Sequence, residues 1–173
     1  GLAASPDSSK PTFWGAGESV CYRELLRGSS LGTCLSELAG RSVLLATGSQ
    51  LTTALALIEL DGVARRITLC PSDLSAEHLP SVIATAGADV IACDSCSAER
   101  AAADVPMRVV CSPTVTPAEN MPSDRPQTEW HLLTSGTTGV PKIVMTGFAG
   151  HTARIQLGKH SAPSVVWGTF FRL

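Results

Sequence analysis

Apolar residues gather into short uninterrupted blocks in this chain, bounded by glycine, proline or small polar residues, and the blocks alternate with stretches of helical spacing. Residues 42–46, 66–70, 89–93 and 107–111 read as strands that are apolar on both faces, the mark of strands buried in a parallel sheet. Gly48 and Ser49 open a helix with apolar positions Leu51, Leu55 and Ile58, and Gly62 closes it. Residues 72–86 carry a second helix, which Pro80 delays or bends and Gly87 ends. Residues 95–103 form a third, capped by Asp94 or Ser95. Ahead of this rhythm, residues 20–26 and 31–38 read as short helices interrupted by Gly28-Ser29-Ser30. After it, a loop over residues 113–126 with four prolines leads to a strand pair within 130–145 and a helix over 151–157. Strands alternating with helices predict an α/β fold, a three-layer α/β/α arrangement around a mostly parallel sheet. Residues 1–12, rich in Ser and Pro, are expected to be a loose tail, and residues 13–173 a single α/β domain.

The bulk properties narrow the function. With 44% hydrophobic and 16% charged residues in 173, the chain has the makings of a buried core rather than of a disordered segment. A net charge of −2, no basic cluster and few aromatic residues argue against nucleic-acid partners and against a membrane surface. No apolar run reaches bilayer length and the first residues lack a signal-peptide pattern, so the expected compartment is the cytoplasm.

One stretch states a chemistry. Thr134-Ser135-Gly136-Thr137-Thr138-Gly139-Val140-Pro141-Lys142 offers backbone N–H groups, four hydroxyls and one cation to an anion. The seven residues from 135 to 141 are many for a hairpin turn, which usually takes about two to five. The P-loop of common NTPases, G-x-x-x-x-G-K-[ST], does not fit. Pro141 rather than Gly precedes Lys142, and Ile143 stands where a hydroxyl would hold Mg²⁺. Pro141 has no N–H to give, and the segment beyond Lys142 is strand-like rather than helical.

These nine residues resemble the phosphate-binding motif of the adenylate-forming superfamily, which includes acyl-CoA synthetases, amino-acid adenylation domains and luciferases. The match, T-S-G-T-T-G-x-P-K, is without departure. From about Val20 onward the chain is also similar, more weakly, to the first part of the N-terminal domain of those enzymes. One departure lies beyond the motif. Many members place a His shortly after the Lys, where this chain has Met145, Thr146 and Gly147. The resemblance implies an ATP-dependent, AMP-forming ligase, with ATP and Mg²⁺ used by the full-length enzyme. A substrate carboxylate attacks the α-phosphorus, pyrophosphate leaves, and an acyl-adenylate remains for a thiol such as CoA or a carrier. It further implies hydroxyl contacts from Thr134, Ser135, Thr137 and Thr138, close backbone approach at Gly136 and Gly139, and charge neutralisation by Lys142. It places no catalytic residue and no metal ligand within this stretch.

The apolar segment 165–173 is expected to be a strand in want of a partner, available for a homo-oligomer. Members of the superfamily are several hundred residues long, so the chain is expected to be the incomplete N-terminal part of such an enzyme domain, inactive alone. Two other readings are a non-catalytic nucleotide- or phosphate-binding module and an assembly scaffold built on that segment.

The remaining chemistry-bearing residues read as structural. Cys93-Asp94-Ser95-Cys96 is a C-x-x-C after a strand, and Cys70, Cys93 and Cys111 each end a predicted strand. A redox pair or a metal cluster is conceivable there, but buried free thiols are the commoner outcome. His78, His131, His151 and His160 form no i, i+4 pair, and no acidic partner is expected for them. Glu59 and Asp61, near a helix end, are expected to face solvent.

Overall fold

The structure is a computed structural model that describes residues 11–31, 35–95, 104–118, 126–134 and 141–147. In chain order its elements are β1 (Thr12–Trp14), β2 (Ser19–Cys21), α1 (Tyr22–Leu25), β3 (Gly28–Ser29), β4 (Ser42–Ala46), α2 (Gln50–Leu60), β5 (Arg66–Leu69), α3 (Leu79–Ala86), β6 (Val90–Cys93), β7 (Met107–Val110), β8 (Thr116–Pro117), β9 (Glu129–Thr134) and β10 (Lys142–Gly147). The predicted helices over 95–103 and 151–157 and the segment 165–173 lie outside the described residues.

A six-stranded sheet of order β10-β9-β5-β4-β6-β7 forms the centre. Every neighbouring pair in it is parallel except β9 with β10. The chain leaves β4 for β5 on one side, then crosses back to β6 on the other, so the lateral direction reverses beside β4. Right-handed crossovers then require α2 and α3 on opposite faces. The core confirms this. Val43, Leu45, Ile67 and Ala92 cluster with Ala56 and Leu60 of α2, whereas Leu44, Ala46 and Ile91 cluster with Leu79 and Val82 of α3. Alternate residues of each strand thus serve alternate faces, as a continuous apolar strand allows.

Helix α2 begins as the sequence predicts, with Ser49 as its N-cap, whose Oγ accepts from Thr52 N at 3.3 Å. Pro80 sits in the first turn of α3, behind a 3-10 turn at Ala76–His78, and Gly87 ends the helix at φ 57°. Two expectations about α2 need correction. Ile58 is 40% exposed and lies outside the core. Glu59 is buried rather than solvent-facing: it accepts hydrogen bonds from Ser29 Oγ and, at 2.7 Å, from Ser30 N. Asp61 is likewise engaged, accepting from Trp130 Nε1 at 3.0 Å.

Outside the main sheet, the segment read as a helix over 20–26 is β2 followed by the single turn of α1. Among the described residues of 31–38, only a 3-10 turn at Ser36–Leu38 is helical. Within the proline-rich loop, β8 pairs with β3. Leu51 and Leu55 of α2 pack outward against Val20 and Leu25, so α2 lies between the sheet and this outer layer.

Gly28 is where the β3–β8 pair tolerates no side chain. A Cβ there would overlap Thr116 O and come within 2.6 Å of Val115 Cγ1. Gly28→Ala is therefore expected to destabilise the fold by about 1–3 kcal/mol, measured as a lower urea midpoint at unchanged m-value. No helix among the described residues is long and apolar enough to cross a membrane.

A candidate phosphate-binding hairpin

The strand pair expected around the glycine-rich stretch is β9 and β10. They are antiparallel, with Thr134 opposite Lys142, and Thr134 Oγ1 donates to Lys142 O at 3.3 Å. Thr134 and Lys142 are therefore brought together at the mouth of the hairpin, both at least partly open to solvent. Ser135, Gly136, Thr137, Thr138 and Gly139 lie outside the described residues. β9 runs parallel to β5, with Leu132 opposite Leu69. The loop consequently leaves the sheet at the carboxyl end of its parallel strands, the edge where open α/β sheets bind ligands.

β9 is held firmly at its base. Thr128 Oγ1 donates to Ala64 O at 2.8 Å and accepts from Gly62 N at 2.7 Å. Glu129 N donates to Arg65 O at 3.0 Å. The Arg66 Nε and Nη2 groups both reach Glu129 Oε2, at 2.9 and 2.8 Å, and Nη1 donates to Ala86 O at 3.2 Å. That guanidinium holds the Glu129 carboxyl below the usual carboxylate range, by hydrogen bond and by charge. None of these anchors is signalled by a sequence motif, because each joins residues far apart in the chain.

The general rule for open α/β sheets points first to the crevice between β4 and β6, where the lateral direction of the chain reverses. Here a protein carboxylate fills it. Asp94, just past β6, is 6% exposed. Both of its oxygens lie 3.0 Å from Gly48 N, and Oδ2 is 2.9 Å from Ser49 N. The amides that would greet a phosphate at the start of α2 are thus already taken, and Thr52 N is taken by Ser49 Oγ. Asp94, one of the two residues expected to cap the segment after it, fastens the β4–α2 turn to β6; that segment lies outside the described residues. Asp94→Ala strips two N–H groups of a charged partner and is expected to cost about 1–3 kcal/mol, read from chemical denaturation.

The three strand-end cysteines do not meet at one point: Cys111 N donates to Cys93 O at 2.7 Å, so those two are neighbours, but Cys70 stands apart. Cys70 packs in the α3-side cluster and Cys111 in the α2-side cluster, so the sheet stands between them. Burial pushes the Cys93 thiol up, with the charge of Asp94 adding to it, which disfavours the reactive thiolate. Cys96 lies outside the described residues. Among those residues no group of three His, Cys, Asp or Glu side chains is placed to hold a metal ion. An open cleft of about 430 Å³ lies between the β1–β2 turn and residues 113–115. It presents Glu18 and Glu24 and so repels anions.

Two histidines depart from expectation. His78 Nε2 lies 3.7 Å from Glu77 and His131 Nε2 lies 3.9 Å from Glu129, so acidic neighbours are present. His131 is buried, with neither ring nitrogen hydrogen-bonded.

No family model matches the chain, and no curated protein matches it. Solved structures do. The N-terminal subdomain of Klebsiella oxytoca NpsA in complex with 3-hydroxybenzoyl-AMSN aligns with 77% of this chain and 36% of its own, at TM-score 0.55 and 18% identity. Over the aligned part the chain shares the fold of that N-terminal subdomain. The inhibitor-bound N-terminal domain of FACL13 from Mycobacterium tuberculosis aligns over 75% of this chain and 38% of its own, at TM-score 0.53 and 18% identity. The o-succinylbenzoate CoA synthetase MenE of Bacillus subtilis, in complex with the acyl-adenylate intermediate OSB-AMP, aligns over 79% and 38%, at TM-score 0.58 and 16% identity. The chain thus spans little more than a third of the length of these structures.

Proposed function

We propose that this chain is the phosphate-gripping portion of an ATP-dependent, AMP-forming ligase that activates a carboxylic acid as its acyl-adenylate and passes it to a thiol such as CoA. The observation that carries this reading is the position of the stretch 134–142. A run of hydroxyls, glycines and one lysine joins two paired strands at the ligand-binding edge of a sheet. The shared fold with acyl-adenylate-bound structures supports it.

In this reading Thr134, Ser135, Thr137 and Thr138 donate to the β- and γ-phosphates. Gly136 and Gly139 let the backbone close on them, and Lys142 offsets the charge that grows on the leaving pyrophosphate. The carboxylate oxygen bonds to the α-phosphorus as the bond to the bridging oxygen of pyrophosphate breaks. The anchored base of β9 keeps the hairpin from yielding as the ligand binds. Substrate, thiol and the remaining catalytic groups belong to the rest of the enzyme.

Trapping tests the reaction class. Incubated with ATP, hydroxylamine and a panel of carboxylic acids, the full-length enzyme is expected to yield one hydroxamate with AMP in equal amount. Formation of ADP instead would overturn the assignment.

A further inference from the structure

His131 stands in the middle of β9, three residues before Thr134. It faces Thr68 of β5 across a parallel ladder and Met145 of β10 across the antiparallel one. Its side chain is buried, and both ring nitrogens are shut off from solvent without a hydrogen-bond partner. Among the described residues, the charged groups that face it are Arg66 from β5 and Glu129 from its own strand. β10 contributes the apolar Met145, and α3, over the same face, carries no ionisable side chain. Glu129 Oε2 is 3.9 Å from Nε2, too far for a hydrogen bond, and is already held by two donors of Arg66. A proton on this ring would therefore bring a second positive charge beside Arg66, with no free acceptor for it among the described residues.

The neighbours differ in how they can respond. β9 is fastened to β5 by its ladder, and to the turn between α2 and β5 by the bonds of Thr128, Glu129 and Trp130 to Ala64, Arg65 and Asp61. β10 is the outermost strand of the described sheet and pairs only with β9. Met145 on it is 68% exposed. Water reaches a charged imidazole most cheaply when β10 lifts, and β10 begins at Lys142.

We propose that His131 is a positioning residue for the β9–β10 hairpin that works only as the neutral imidazole, its protonation loosening the pairing that sets Thr134 beside Lys142 and, with it, the grip on nucleotide. The phosphate half of this rests on the function proposed above; the hairpin half does not. Burial first, and Arg66 second, lower the imidazole below its ordinary value, while Glu129 opposes them weakly. The unfolded ring therefore binds its proton more readily than the folded one. The stability is in full force above the ordinary value of about 6.5 and is lost as pH falls below it, by up to about tenfold per pH unit.

Hydrogen exchange tests this on the 173-residue chain. The protection of amides joining β9 to β10 is compared with that of amides joining β4 to β5, from about pH 8 to about pH 5.5, a range that brackets the ordinary imidazole value. The wild-type ratio is expected to fall by up to about tenfold per unit below about pH 6.5. In His131→Leu and His131→Gln, both uncharged, it is expected to stay flat. The same slope in both variants as in wild type overturns the proposal, as does a wild-type ratio that does not move. ATP binding by the full-length enzyme supplies the second arm, as the ratio of wild-type to variant dissociation constants, which cancels the protonation of ATP itself. That ratio should rise on acidification, and a constant ratio overturns the coupling to nucleotide. If neither wild type nor variant binds ATP at any pH, the nucleotide reading and this coupling both fail, and the exchange comparison alone decides the hairpin half.

Discussion

Replacing Lys142 by alanine is expected to lower acid-dependent pyrophosphate release by the full-length enzyme about 10²–10³-fold, the loss expected on removal of one preorganised charge-stabilising group. Lys142 opens β10, and its backbone is held by pairing with Thr134. Its side chain makes no ion pair among the described residues. Folding therefore does not depend on the ammonium group, and stability should stay within about 0.5 kcal/mol of wild type. A fold left intact beside a collapsed rate separates a ligand role from a structural one. Lys142→Arg keeps the charge and should recover part of the rate. Unchanged release by Lys142→Ala would remove the cation from the proposed site.

The largest loss of stability is expected at the centre of the sheet. β4 is flanked by β5 and β6, and Leu45 on it is 1% exposed, packed between the sheet and α2 with Leu60, Ile67 and Ala92 as cluster neighbours. Leu45→Ala removes three carbons and leaves a void that strands tied on both sides cannot close. The expected loss is about 2–5 kcal/mol, a large part of what a domain of this size possesses. Guanidinium denaturation should show it as a lower midpoint. A change under about 1 kcal/mol would mean that the sheet relaxes around the gap.

Legibility in the sequence depends on the range of the interactions. β4 and β6 are legible because their two-sided burial writes uninterrupted apolar blocks, β5 and β7 because short apolar runs survive in them although Arg108 and Val110 of β7 are exposed, and α3 because Pro80 and Gly87 mark its ends locally. α2 is legible at its start but not in its facing. It is covered by the sheet on one side and by Val20 and Leu25 on the other, so no clean stripe remains, and Ile58 is mistaken for core and Glu59 for surface. β1, β2, β3 and β8 are two or three residues long and owe their existence to partners elsewhere in the chain. No local propensity can announce them. At the site, the loop is legible because its residue types and order are the chemistry. The part of Asp94 in closing the crevice beside β4 is not, since it links positions 46 residues apart. Nor is the isolation of His131, because a lone histidine among apolar residues has the same appearance in sequence whether its nitrogens find partners or not.

The central claim is that the stretch 134–142 grips ATP while a carboxylate takes its α-phosphoryl group. Exchange of labelled pyrophosphate into ATP by the full-length enzyme tests it most directly. The label is expected in ATP only when a suitable carboxylic acid is present, with Lys142→Ala reducing it about 10²–10³-fold. Exchange independent of any acid, or none with any acid while ATP is split to ADP, would contradict it.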